Sequence, residues 1–120
     1  MKKIVILLFA FGVLITACQD DDAEVVITVP QEVCDSLDIL YTNDVAPILA
    51  GCSGSYCHGS GAGGVTLSDY DNTKTAAESP KFLKAIKHES GASPMPKGGN
   101  KLSDQQIETI ECWVKSGSRE

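Results

Sequence analysis

The stretch Cys52-Ser53-Gly54-Ser55-Tyr56-Cys57-His58 constrains this chain more than any other. Two thiols flank a spacer of four residues, and a histidine follows the second directly. Cysteine, cysteine and histidine at close spacing form the pattern by which c-type haem is attached to a polypeptide. The thiols bond the vinyl groups of the porphyrin, and the imidazole ligates the iron. The usual spacer is two residues. Ser53, Gly54 and Ser55 are small and flexible, so the added length is expected to bulge out between the two anchors. The competing fate is a local Cys52–Cys57 disulfide beside a histidine with no role.

Haem attachment and stable disulfides both call for a compartment outside the cytoplasm, and the N-terminus predicts export to one. Lys2 and Lys3 precede an apolar run over residues 4–15, too short for the ~20 residues of a membrane-spanning helix. Ile15-Thr16-Ala17-Cys18 then resembles the lipobox of bacterial lipoproteins, in which the cysteine is lipidated and becomes the first mature residue. Residues 1–17 are therefore expected to be a lipoprotein signal peptide and Cys18 the lipidated residue. Residues 18–33 are expected to be a tether, and residues 34–120 the folded domain. The acidic block Gln19-Asp20-Asp21-Asp22 is either a solvated spacer or part of a surface-export signal. Residues 25–29 are rich in β-branched side chains and are a candidate short strand, ended by Pro30.

Loss of residues 1–17 removes two lysines and no acid, which leaves 103 residues with a formal charge of −8. Nucleic-acid binding needs a basic footprint and is not expected. Docking to a positively charged protein surface is compatible with this balance.

Three helices are predicted, and no run alternates with the period of a strand. The first covers residues 42 or 43 to 50, with Asn43 as its N-cap, Pro47 near its first turn and Gly51 as its C-cap. The second covers residues 79–88, with Ser79 as cap, Pro80 at the first helical position and Gly91 ending it. The third covers residues 103–116. Ser103 and Gln106 form a capping box, Ile107, Ile110, Trp113 and Val114 make one apolar stripe, and Gly117 closes it. The apolar content after Cys34 is small, and residues 53–64 and 91–100 are glycine-rich. A domain of this size buries little by itself. A large apolar cofactor at its centre would supply what the side chains lack.

Met95 is the one methionine that remains after residues 1–17, and it stands between Pro94 and Pro96. A thioether is a good sixth ligand for haem iron and raises its reduction potential. Met95 follows His58 by 37 residues. The pair predicts histidine–methionine axial ligation, with His88 as the alternative axial ligand. Cys34 and Cys112 remain. A disulfide between them would join the two ends of the domain and stabilise it by roughly 4 kcal/mol. Zinc held by Cys34, Cys52, Cys57 and Cys112 or His58 is the alternative, though structural zinc sites usually show two close-spaced ligand pairs.

From residue 45 to residue 117 the chain resembles the small c-type cytochrome domains of the planctomycete type. The resemblance is carried by Val45-Ala46-Pro47-Ile48-Leu49, Cys57-His58-Gly59, Gly64-Val65-Thr66-Leu67, Ser79-Pro80-Lys81-Phe82-Leu83, Met95-Pro96, Leu102-Ser103 and Trp113-Val114-Lys115-Ser116-Gly117. It implies an all-α, cytochrome c-like domain of about three helices around one covalently bound haem c. Cys52 and Cys57 would form the thioethers, with His58 and Met95 the axial ligands. By the same resemblance Leu67, Tyr70, Phe82, Leu83, Ile86 and Trp113 are candidates for the haem pocket. The chain departs from the family pattern in its long spacer and in Cys112, where a plain helix residue is expected; a disulfide to Cys34 would account for the latter.

The function these readings predict is electron transfer rather than catalysis, in the bacterial envelope. The lipid at Cys18 would give attachment to the outer membrane, facing the periplasm or the cell surface, and redox proteins of the envelope would be the partners. Two alternatives are a haem enzyme or gas sensor with an open distal site, and a haem-free, disulfide-linked surface binding module.

Overall fold

The structure is a computed structural model and describes residues 28–120. The expected signal peptide, Cys18, the acidic block and most of the candidate strand lie outside the described residues. Thr28 and Val29, at the end of that candidate, have no strand partner. The described residues are all-α, in five α-helices, a π-helical turn and a short 3-10 turn.

Helix α1 spans Gln31–Ser36 and starts directly after Pro30. It is too short to show an apolar period, and the sequence did not predict it. A side-chain bond from Gln31 Nε2 to Asp35 Oδ1 (2.7 Å) spans one turn of it. Its buried residue is Cys34, which is joined to Cys112 by a disulfide. The expected pairing of these two cysteines is present, and the four-ligand zinc alternative loses two of its thiols to it.

The first predicted helix starts earlier than expected and in a wider form. Tyr41–Val45 make a π turn, and α2 continues it over Ala46–Leu49. Asn43 is exposed and caps nothing; Asp44 instead accepts from the Leu40 N–H at 2.8 Å. Pro47 explains the wide turn. Its ring would collide with the carbonyl one turn back in a regular helix, and it has no N–H to give. Opening the preceding turn removes that collision. Gly51 is not a left-handed cap either. The end of α2 is closed by the Cys52 N–H, which donates to the Leu49 carbonyl at 2.8 Å.

Helix α3, Tyr70–Ala77, was not predicted. Only Thr73 and Ala77 are buried, so it carries no strong apolar period. Its local signal is at the start, where Asp69 Oδ1 accepts from the Asn72 N–H at 2.9 Å, an ordinary N-cap.

Helix α4, Pro80–Lys87, begins as predicted, with Ser79 Oγ accepting from the Lys81 N–H. It ends at His88, as the expected range has it, with His88 and not Gly91 as the closing residue. His88 has φ 60° and ψ 30°, and the N–H groups of His88 and Glu89 return to the carbonyls of Ala85 and Lys84. This is a Schellman closure with a histidine where glycine is usual.

Helix α5, Asp104–Lys115, has both bonds of the predicted capping box, between Ser103 and Gln106. Ile107, Ile110 and Trp113 are buried and Val114 is half-buried, as the apolar stripe requires. Gly117 (φ 93°) and Ser118 close the helix by returning their N–H groups to Val114 and Trp113. Trp113 Nε1 and the Tyr41 N–H both donate to the Arg119 carbonyl, at 2.7 and 2.9 Å, and the Tyr70 hydroxyl donates to that of Ser118. The C-terminal turn is thereby tied to the π turn before α2, to α3 and to α5.

The core is as thin as the composition suggests. Val45, Leu49, Ala77, Ile86, Ile110 and Trp113 form its buried cluster. It lies where α2, α3 and α4 meet α5, and on the α2–α4 side it gives way to a cavity.

Candidate haem-binding cleft

The Cys52–His58 stretch leaves α2 and closes on itself through its own backbone. The His58 N–H donates to the Cys52 carbonyl (2.9 Å), and the N–H groups of Cys57 and Gly59 donate to the Gly54 carbonyl (2.9 and 3.1 Å). Ser53 Oγ lies 2.6 Å from the Leu67 carbonyl, and the Leu67 N–H donates to the His58 carbonyl at 2.9 Å. The long spacer is therefore an ordered turn. Its apex is at the surface, where Tyr56 is 99 % exposed. Gly59 is needed for the closure: a Cβ there would stand 2.3 Å from the Ser53 carbonyl oxygen.

The turn borders a cleft of about 630 Å³, within the usual range for cofactor pockets. Leu49, Val65, Leu67, Phe82 and Ile86 give it apolar walls, and its lining includes Cys52, His58 and Met95. Two residues of the Cys52–His58 stretch and the distant Met95 thus border one cavity. Cys57 is exposed and is not part of the lining. Of the pocket candidates, Leu67, Phe82 and Ile86 line the cleft. Leu83 packs against the core instead. Tyr70 and Trp113 both stack around Tyr41, at ring distances of 5.6 and 5.9 Å.

Both cysteines of the motif are free thiols. Burial pushes the Cys52 thiol above its ordinary value, and the neighbouring Cys57 pushes in the same direction. The His58 Nδ1 lies 3.1 Å from the Val65 carbonyl oxygen. A carbonyl can only accept, so Nδ1 is the donor, and in the neutral ring Nε2 then keeps its lone pair for a metal. A backbone partner of this kind also fixes the ring and raises its basicity as a ligand.

No family model, curated protein or solved structure matches this chain. One thiol, one imidazole and one thioether (Cys52, His58 and Met95) border the apolar cleft, and a second thiol, Cys57, lies at the surface of the adjoining turn. Among the described residues no group of three or more histidine, cysteine or acidic side chains gathers to hold a metal ion. The alternative ligand His88 is elsewhere. It is exposed, it does not line the cleft, and its Nε2 lies 2.9 Å from the Met95 carbonyl oxygen.

Proposed function

We propose that this protein is a lipid-anchored, single-haem c-type cytochrome that carries electrons in the bacterial envelope. The observation that supports this reading best is the convergence of Cys52, His58 and Met95 on one apolar cleft. A disulfide-linked module without a cofactor has no need for that convergence, or for a cavity in so thin a core. The resemblance to planctomycete-type cytochrome domains points the same way, and implies a cytochrome c-like arrangement of the helices.

The donor set fits haem c. Cys52 and Cys57 would hold it by thioether bonds, with His58 Nε2 and the Met95 sulfur as axial ligands. When bound, haem supplies one-electron chemistry at its iron. The rest of the work falls to the chain. The Val65 carbonyl orients the His58 ring through Nδ1. Leu49, Leu67, Phe82 and Ile86 would give the bound group an apolar wall. A thioether ligand and apolar walls both favour the less charged, reduced state, and so a higher potential. With His58 and Met95 both holding the iron, no position would be left open for a substrate, and the group would serve electron transfer rather than catalysis. The anchor at Cys18 is read from the lipobox, and the acidic mature chain suits redox protein partners rather than nucleic acid.

The test is expression with the haem-attachment machinery, followed by a reduced-minus-oxidised spectrum and an intact mass. A c-type spectrum and a mass increment of one haem are expected. A colourless protein without the increment would sink the proposal. Carbon monoxide binding by the reduced wild type would instead favour an open distal site, as in a haem enzyme or gas sensor.

A further inference from the structure

Met95 is held by its backbone from both sides. Its N–H donates to the Ala85 carbonyl at 3.0 Å, and its carbonyl lies 2.9 Å from His88 Nε2. A carbonyl only accepts, so this imidazole nitrogen is the donor. Ala85 lies in the last turn of α4, and His88 is the residue that closes that helix. The Met95 loop is therefore pinned to the end of α4 at two adjacent points.

His88 occupies its place at a cost. Its backbone is left-handed, φ 60° and ψ 30°, a conformation that disfavours any residue with a Cβ. Glycine is the usual residue at such a helix end, and asparagine the usual substitute. A strained residue that persists while its side chain makes a specific bond to a site residue marks a constraint of the site. Between the two points, residues 89–94 include Gly91, Ser90 and Ser93. Without a fixed end, such a segment would spread Met95 over many positions, and ordering it would have to come out of the ligand bond itself.

We propose that His88 is a positioning residue, a latch whose Nε2–H holds the Met95 carbonyl and so keeps the Met95 thioether at the cleft as an iron ligand. The ligand part of this rests on the cytochrome reading above; the latch itself does not. The histidine that competes with Met95 as an axial ligand in the sequence becomes its support in the structure.

The experiment compares wild type, His88→Ala and His88→Gln, whose side-chain amide can still donate to the same carbonyl. The full mature protein is expressed with the haem-attachment machinery. Two quantities are read: hydrogen exchange of the Met95 amide, and the near-infrared charge-transfer absorption of a thioether-bound ferric haem. His88→Ala is expected to raise Met95 exchange roughly tenfold, the size of one neutral hydrogen bond. It is also expected to weaken the absorption and allow carbon monoxide to bind the reduced protein. His88→Gln should restore both toward wild type. Met95 exchange unchanged in His88→Ala would overturn the latch. So would equal loosening in both variants, which would trace the effect to the backbone and not to the bond. If the wild type takes up no haem, the cytochrome reading falls, and the exchange measurement still decides the latch alone.

Discussion

The ammonium of Lys87 lies 2.6 Å from Glu111 Oε2, and this buried contact joins α4 to α5. Lys115 Nζ approaches the other carboxylate oxygen at 2.7 Å. The Glu111 side chain is only 3 % exposed, so both of its oxygens depend on these partners. The same α4 carries Phe82 and Ile86 into the cleft wall and ends on His88. Its fixed position against α5 is therefore a condition for the site.

Glu111→Gln should destabilise the fold by about 2 kcal/mol, since it leaves two partly buried ammonium groups without their anion. The pH dependence should change with it. Burial alone would raise the Glu111 carboxyl, but hydrogen bonds from Lys115 and Lys87 and their two charges outweigh it and hold the group below its ordinary value. A lowered carboxyl contributes stability that is complete above the unfolded-state value, about pH 4.3, and is lost as pH falls through the folded value. Denaturant unfolding across that range should show the wild type losing stability toward acid more steeply than the variant. Equal slopes would contradict the role given to Glu111.

The Cys34–Cys112 disulfide encloses a separation of 78 residues and ties α1 to the last helix. A cross-link of that span restricts the unfolded chain by roughly 4 kcal/mol on an entropic account, and removal of a native bridge from a small exported domain costs about 2–5 kcal/mol. The double variant Cys34→Ser, Cys112→Ser should unfold at correspondingly lower denaturant. Its haem content at low temperature should stay near that of wild type, because neither cysteine borders the cleft.

Gly59→Ala tests the turn that presents the thiols and His58. The new Cβ would meet the Ser53 carbonyl oxygen at 2.3 Å, so the closure from Gly54 to Gly59 must open. A loss of about 1–3 kcal/mol is expected, as for other overpacked sites. Haem attachment should fall further than stability does, since Cys57 and His58 lie within the displaced turn. Gly51→Ala is the control: Gly51 does not border the cleft, and a Cβ there meets nothing within 4 Å. Intact mass and thermal unfolding of the two variants separate these effects.

On the proposed cytochrome reading, Met95→Ala should leave the fold in place and free one position on the iron. The expected result is carbon monoxide binding in the reduced state and a lower reduction potential than wild type. A variant that kept both wild-type properties would remove Met95 from the ligand set.

Features governed by neighbours in sequence were legible. The Ser103–Gln106 box, Pro80 after Ser79 and the stripe from Ile107 to Val114 each depend on residues within a turn or two, and each is found where it was read. Elements that depend on something farther away were not. Helix α1 is recognisable only through the partner of Cys34, and α3 buries too little to show a period. The Asp69 cap was the one signal for α3 in the sequence. The start of α2 was misplaced because Asn43 is a good cap in isolation, while the width demanded by Pro47 set the turn.

The candidate site divides along the same line. Residue type and spacing were enough to single out Cys52, Cys57, His58 and Met95, because thiol, imidazole and thioether chemistry belongs to the side chains themselves. Only the tertiary structure brought Cys52, His58 and Met95 to one cleft and left Cys57 at the surface. It also turned His88 from a rival ligand into a partner of the Met95 carbonyl. The physical reason is range. A cap or an apolar stripe is decided by hydrogen bonds and burial over three or four residues, whereas the meeting of residues 58 and 95 is decided by how α4 packs on α5 and where its last carbonyls send the chain.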